Sequence, residues 1–407
     1  MRGKQENKDA VLLADLRAHL GSYLSPPRLL ELLPVVRKHP FALPDHWAGL
    51  ITGEGDPLWR QCVPDIRELA PPLSQEAADP LEEARFSPLP GVIHRYRDRA
   101  LIILTAECAG YCRFCTRKRL AARGTEAHRR APEYGARDEA DAERGARNET
   151  DARTASLDAV IPWLRAHPLV RDVLLSGGDP LTLPPPELAR WLRALQGLPQ
   201  LALIRIGTRL PSFAPERIDE ELCAALAPSA PLYINTHFNH PLEITPAAYA
   251  ACARLRAAGM ILSNQTVLLR AVNDDAAVLR ELGYALLSMG VRPYYLHTLD
   301  RVCGAGHFRV SLARAARIWD ALAASSSGMA VPRLMVDLPG GGGKIQYMRT
   351  RVLREQACDA PRDGGKQTQY VFRNTENGES VYIDYEDEYS YDGEAREAEK
   401  SDVQTFP

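Results

Sequence analysis

The sequence has no run of about 18 apolar residues, so nothing in it could cross a bilayer as a helix. Its opening residues, MRGKQENKDA, lack the apolar stretch of a secretory signal, and export is not expected. It also lacks an excess of either charge. Lys and Arg number 50 against 52 Asp and Glu, and the net charge of -2 provides no basic field of the kind nucleic-acid binders use. Cysteine is sparse, eight in 407 residues, too thinly spread for a disulfide framework. These absences predict a soluble protein of a reducing, cytoplasmic compartment, with neither membrane nor nucleic acid among its partners. With 45% hydrophobic and 25% charged residues, the chain can build one large core domain with appendages, or two domains.

One stretch lacks what folding needs. Residues 121 to 155 contain no Val, Ile, Leu, Met, Phe or Trp, while Arg, Asp and Glu dominate. The stretch reads as a solvated insertion, the alternative being a charged, Ala-rich helix laced by ion pairs. Around it, short apolar, β-branched runs recur at Ala100 to Thr105, Asp172 to Ser176, Leu201 to Gly207, Leu232 to His237, Met260 to Leu268 and Arg292 to His297. The later ones lie roughly 30 residues apart, the length of a strand, a crossover helix and two loops. Intervening stretches such as Pro184 to Leu195 and Pro246 to Ala258 carry Ala, Leu and Arg at helical spacing. Six βα units in a row predict an α/β fold with a parallel sheet, open or curved into a barrel, and ligands at the carboxyl ends of its strands. Three regions follow. Residues 1-95, with LLADLRAHL and PRLLELLPVVRKH, form a helical N-terminal region; 96-310 form the core, carrying the insertion 121-155; 311-407 form a small C-terminal extension. That extension contains a hairpin candidate, TQYVFRN-TENG-ESVYIDY, with Asn377-Gly378 at its turn, and an acidic tail beyond Asp384.

Three of the eight cysteines crowd into eight residues. Cys108, Cys112 and Cys115, in ECAGYCRFCTRKR, follow directly on the strand ALIILT and so occupy a loop at the carboxyl end of the first parallel strand. Thiolates bind iron–sulfur clusters, and a cubane given three protein ligands keeps one iron free for a small molecule. The competing reading, a zinc site completed by histidine, fails on spacing, because His94 and His128 stand at no familiar zinc-ligand distance from the triplet. The CxxxCxxC loop with Phe114 before its last cysteine resembles the radical S-adenosylmethionine (SAM) superfamily. That resemblance implies a 4Fe-4S cluster held by the three cysteines. It implies too that the open iron chelates SAM, which is cleaved to a 5′-deoxyadenosyl radical that abstracts hydrogen.

The other strands end in polar clusters: Ser176, Gly177, Gly178 and Asp179; Gly207 to Arg209; Asn235 to His240; Ser263 to Thr266; His297 to Asp300. Any one could be turn chemistry, but five at one face of a sheet suit a binding mouth. Gly177 and Gly178 would let backbone approach a ligand closely, and SAM is the natural occupant of part of this mouth. Further on, VDLPGGGGKI sets four glycines before Lys344. A Walker A loop would require Gly at Leu338 and Ser or Thr at Ile345, so the phosphate-loop reading fails. A flexible arm delivering one lysine instead suits imine formation with pyridoxal phosphate (PLP), a solvated loop lysine being the alternative.

Here the likeness narrows. From about Asp79 to Lys344 the motifs SPLPGVIHRYRDRALI, CTRKR, DVLLSGGDPL, INTHFNHPLEIT, SNQTVLLRAVND, HFR and GGGGK resemble the lysine 2,3-aminomutase family. The resemblance implies a partial (β/α)6 barrel and an isomerase. It implies Lys344 as the PLP lysine, Arg95, Tyr96 and Arg99 as cofactor holders with the arginines suited to phosphate, and His237 and Gln265 near SAM. It sets Arg117 at the substrate carboxylate and Asp300 with Asp337 at a side-chain ammonium. The implied reaction converts L-lysine to β-lysine: a β-hydrogen leaves the lysine imine, nitrogen migrates through an azacyclopropyl radical, and the hydrogen returns.

Two departures stand out. Many relatives carry a C-terminal zinc-binding cysteine cluster that joins subunits, whereas only Cys358 follows Lys344 here, so no zinc is expected. His297 stands where many lysine enzymes have tyrosine, and PYYLHTLDRVCGAGHF is similar to a subgroup making β-lysine for an elongation factor, a subgroup without the full glycine arm. Expected partners are a free amino acid and a reductase such as flavodoxin or ferredoxin; a homo-oligomer stays open, because the cysteine cluster that joins subunits in relatives is absent. The alternatives are a 2,3-aminomutase for arginine, ornithine or glutamate, a radical SAM enzyme that modifies a protein residue, and a non-catalytic iron–sulfur carrier or sensor.

Overall fold

The computed structural model describes residues 2–73, 75–120, 154–359, 366–376 and 378–385. The insertion up to residue 153, Asn377 of the expected turn and the acidic tail after Tyr385 lie outside the described residues.

Nine strands make one sheet in the order in which they occur along the chain: β1 (Val92–Tyr96), β2 (Arg99–Thr105), β3 (Asp172–Gly177), β4 (Leu203–Gly207), β5 (Leu232–Thr236), β6 (Met260–Val267), β7 (Arg292–His297), β8 (Arg333–Leu338) and β9 (Gly343–Gln346). Strands β2 to β8 run parallel, and β1 and β9 flank them antiparallel. The six expected strands are present as β2 to β7. The sequence reading stops one parallel strand short, because the connection from His297 to Arg333 is longer than those that join β3 to β7 and so breaks the spacing. The sheet is strongly curled. The backbone N–H of Lys344 in β9 donates to the Tyr96 phenol oxygen in β1 at 2.8 Å, so the two edges of the sheet meet as a partial α/β barrel.

Crossover helices Leu157–Ala166, Pro185–Gln196, Glu220–Leu226, Pro246–Ala257, Ala276–Ser288 and Leu312–Ser325 separate the parallel strands. Their starts are written in the chain. Side chains of Asp219, Thr245, Asp275 and Ser311 accept first-turn N–H groups, and proline opens the helices at Pro185 and Pro246. Helix Pro185–Gln196 turns Leu188, Leu192 and Leu195 onto the sheet at helical spacing, burying them completely. Helices thus cover the outside of the curl and leave the carboxyl ends of the strands to loops.

The N-terminal helices Arg2–Leu20, Pro26–Glu31, Leu33–Lys38, Asp45–Ala48 and Pro57–Cys62 form a separate core around Leu16, Leu20, Trp47 and Leu58. That core takes in Phe213 from beyond β4 and packs against Ala109 and Cys112, so the leader lies on the cysteine loop. A buried charge cluster fastens it there. Arg113 makes two 2.7 Å bonds to the Glu68 carboxylate and a third to the Pro40 carbonyl, while Lys118 reaches the same carboxylate at 3.1 Å. At the other end, β10 (Val352–Asp359), β11 (Lys366–Arg373) and β12 (Glu379–Tyr385) form an antiparallel sheet. Its Tyr370, Phe372 and Tyr382 pack on Leu312, Val336, Leu338 and Ile345. No helix among the described residues is long and apolar enough to cross a membrane.

Burial works against the Glu68 charge, but Arg113 and Lys118 outweigh it and hold the carboxyl down to about 2. Its contribution to stability is therefore complete above the ordinary carboxylate range and is lost as pH falls from there towards 2. Arg113→Met leaves Glu68 buried with Lys118 alone and is expected to cost about 3 kcal/mol. Denaturant titration would measure this, and the difference from wild type should shrink as Glu68 protonates.

Candidate active site

Strand ends at the open mouth of the barrel gather the chemistry-bearing side chains. Lys344 sits at the start of β9, opposite Asp337 on β8. Its ammonium lies 2.5 Å from the Asp337 carboxylate and 3.0 Å from Nδ1 of His297, at the end of β7. The other imidazole nitrogen, Nε2, is 3.1 Å from the Gln265 side-chain oxygen on β6. Burial, and then the Lys344 charge, hold His297 neutral well below the ordinary histidine range. A neutral ring sets its own polarity here: Nδ1 accepts from Lys344 and Nε2–H donates to Gln265. Three strand ends and a lysine thus share one line of hydrogen bonds.

Asp300 lies next to this line. Burial, and then the neighbouring charge of Asp337, push its carboxyl up to about 6, although Lys344, the Thr116 hydroxyl and Arg117 oppose the shift. Thr116 donates to Asp300, joining the cysteine loop to the loop after β7. Arg117 follows, with its guanidinium 2.6 Å from Glu83, which also pairs with Arg119 at 2.6 Å. Burial works against the Arg117 charge, but Glu83 dominates and keeps it protonated, while its Nε is buried without a partner. Two of the residues expected at a substrate, Arg117 and Asp337, therefore already hold ion-pair partners within the protein. Glu83 and Thr116 were not legible as site residues, because an acidic residue in a turn and a threonine after a cysteine carry no distinctive spacing.

Arg95, Tyr96 and Arg99 border the same lysine through the Tyr96–Lys344 contact. The Arg95 guanidinium sits 5.3 Å from the Phe86 ring centre and 5.7 Å from that of Tyr96, and its Nη2 is buried without a partner. Arg99 lies 4.1 Å above the Tyr96 ring and is half exposed. An unpaired buried guanidinium donor beside the glycine-arm lysine fits an anionic group such as a phosphate.

Cys108, Cys112 and Cys115 are half-buried free thiols. Burial raises the Cys108 thiol well above its usual range, aided by the charges of Asp179, Cys115 and Cys112; burial and Cys112 push Cys115 up to about 11. Among the described residues, no three His, Cys, Asp or Glu side chains stand arranged around a metal-ion position. The donor chemistry nonetheless fits a cluster. Three thiols close enough to oppose one another's ionisation need a strongly positive partner, and iron supplies one.

Gly177 and Gly178 also bring two stretches of backbone together beside that loop. A Cβ at Gly177 would stand 2.4 Å from the Thr105 carbonyl oxygen, and one at Gly178 2.1 Å from that of Glu107. The close approach they permit is of β3 to the cysteine loop, sealed by N–H bonds from Gly178 and Asp179 to those two oxygens. Ser176 precedes them as part of β3. The buried Asp179 carboxylate accepts from Leu181 N, Thr208 Oγ1 and Arg209 N, which makes it a joint between the ends of β3 and β4. His237 lies edge-on to Phe114, 5.7 Å between ring centres, with Nε2 3.1 Å from Asn239 Oδ1. Burial, and then the charge of Arg209, keep this ring neutral.

No family model matches the chain. Among curated proteins it is 39% identical over 316 residues to the L-lysine 2,3-aminomutase of Fusobacterium nucleatum, an alignment covering 77% of this chain and 68% of that one. The chain belongs to the lysine 2,3-aminomutase family. Other relatives include the L-lysine 2,3-aminomutase of Methanococcus maripaludis, 36% identical over 83% of this chain and 73% of that one. The glutamate 2,3-aminomutase of Clostridioides difficile is 35% identical over 85% and 74%. Among solved structures, a radical SAM methyltransferase from Sphaerobacter thermophilus covers 60% of this chain and 68% of its own, at 17% identity and a TM-score of 0.36. By its curated relatives the chain is an isomerase of the 2,3-aminomutase type, and the family implies SAM and a 4Fe-4S cluster.

The His297 geometry gives a direct expectation. Lys344→Met removes the second cause of its depressed pKa, so the imidazole should titrate at higher pH than in the wild type while burial still keeps it below a free histidine. Histidine ring NMR across pH 4 to 8 would record the shift.

Proposed function

We propose that this enzyme converts L-lysine to β-lysine with PLP bound at Lys344. The observation that carries the substrate is the carboxylate pair, Asp300 and Asp337, in which burial and the charge of Asp337 raise the Asp300 carboxyl. Such a pair accepts a cation and repels an anion. A glutamate side chain would bring a third carboxylate to it, whereas the ε-ammonium of lysine neutralises what burial makes costly.

The residues divide the work by charge. Arg117 is the fork for the substrate carboxylate, with Glu83 keeping it charged and oriented. Asp337 is paired to Lys344 whenever that amine is protonated and open to a second cation when it is not. Neutral His297 accepts a hydrogen bond from Lys344 at Nδ1 and so orients the amine, and Gln265 fixes the ring for it. Tyr96 anchors the Lys344 backbone, leaving Arg95 and Arg99 for a phosphate. Ser176, Gly177, Gly178, Asp179, His237 and Gln265 frame the SAM side, behind the cysteines that would hold the cluster. When bound, PLP supplies a conjugated system able to carry an unpaired electron. SAM and the cluster together supply the hydrogen-abstracting radical. Electrons come from a flavodoxin- or ferredoxin-type reductase in the reducing cytoplasm.

A turnover screen of L-lysine, L-arginine, L-ornithine and L-glutamate under anaerobic conditions, with SAM, PLP and reductant, should yield β-lysine from lysine. Turnover of glutamate in preference to lysine would overturn the substrate assignment. Lys344→Ala should abolish the visible absorption of bound PLP. Because a cationic amine binds ionised Asp300 best, lysine affinity should weaken as pH falls through about 6, reaching about tenfold one unit lower. Asp300→Asn should flatten that profile and raise the apparent Kd.

A further inference from the structure

Arg209, last residue of the polar cluster after β4, has no part in the chemistry above. Its environment is unusual. The side chain is buried, and its Nη1 donates to Cys112 Sγ at 2.8 Å. Nη2 donates to Gln61 at 2.5 Å, and the guanidinium carbon lies 4.3 Å from the Phe213 ring centre, 4.9 Å from Trp47 and 5.6 Å from Phe114. A planar cation is thus clamped among three aromatic rings and aimed at one expected cluster ligand.

Its natural counter-ion is only loosely engaged. Glu243 stands 3.5 Å from Arg209, while its carboxylate takes shorter bonds from Ser212 (2.7 Å), Gln61 (3.0 Å), Asn239 N (3.0 Å) and His240 N (3.1 Å). Its negative charge is therefore spread over four other donors. The Arg209 charge is left to act mainly on Cys112.

We propose that Arg209 raises the reduction potential of the cluster held by Cys108, Cys112 and Cys115, with Glu243 as the counterweight that limits the rise. The inference rests on the cluster reading above. On reduction, one electron passes from a low-potential flavin or iron–sulfur donor, oxidised by one electron, to the cluster, whose core charge falls by one unit. No proton moves, because the guanidinium stays protonated in both states. A fixed cation and an N–H···S bond at a ligand sulfur favour the more negative, reduced form. Arg209 is a positioning residue, since it acts through Cys112.

The test is an EPR-monitored redox titration of the full-length, anaerobically reconstituted protein, with iron and sulfide counted in each sample. Arg209→Gln should lower the midpoint, leaving about tenfold less reduced cluster at a fixed potential, or about 59 mV for one electron. Glu243→Gln should raise it, an opposite sign that a purely structural role would not produce. Where Arg209→Gln loads a full cluster, an equal or higher midpoint overturns the proposal. Where that variant fails to fold or load, Glu243→Gln decides: a higher midpoint sustains the proposal, and an unchanged or lower one overturns it. A wild-type protein that binds no cluster would defeat the cluster reading and this inference with it. A normal cluster with an unmoved potential would defeat the inference alone.

Discussion

The contact between Lys344 N–H and the Tyr96 phenol oxygen joins the first and last strands of the main sheet, and the site depends on that closure. An open sheet would leave Arg95 and Lys344 at opposite edges. Curled, it sets an unpaired guanidinium donor, the glycine-arm lysine and the Asp300–Asp337 pair around one mouth. The antiparallel turn from β8 to β9 completes the arrangement. Four glycines, two of them with φ of 62° and 74° at Gly340 and Gly341, let the chain reverse within a few residues and return Lys344 opposite Asp337.

Inside the mouth, several groups are held by a specific opposite charge or kept neutral. Arg117 has Glu83, Lys344 has Asp337, and His237 and His297 are uncharged because burial forbids otherwise. In a poorly hydrated cleft such pairing is the condition for folding at all, since an uncompensated buried charge costs several kcal/mol. The same condition makes the site responsive. A partner taken by a bound molecule changes what its neighbour can do, as when Lys344 gives up its charge and leaves Asp337 free.

The N-terminal helices belong to this site as much as to their own core. Glu68 fastens Arg113 inside the cysteine loop, and Gln61 and Trp47 hold the guanidinium that touches Cys112. Helical periodicity in the first 95 residues marks an amphipathic leader, but that pattern cannot say which surface the leader covers. The described helices of this leader end at Leu69, and β1 runs across residue 95 into the sheet.

Local pattern was enough to show the strands β2 to β7, helical stretches such as Pro184 to Leu195 and Pro246 to Ala258, and the loop position of the cysteines, because each depends on residues close in sequence. Strand β8 escaped, since a longer connection breaks the repeat from which the others were read. Family likeness marked Lys344, Arg117, Asp300 and Asp337, whose spacing alone is mute. By itself, then, the sequence determined the βα rhythm, the thiol triplet and the absence of a membrane-crossing run. Tertiary structure decided the partners. It set Gly177 and Gly178 in a seam against Thr105 and Glu107, made Asp179 a joint between strands, and brought Glu83 to Arg117 and Arg209 to Cys112. Residues 34 and 97 positions apart meet only when the sheet curls, and no pattern confined to neighbouring residues encodes that meeting.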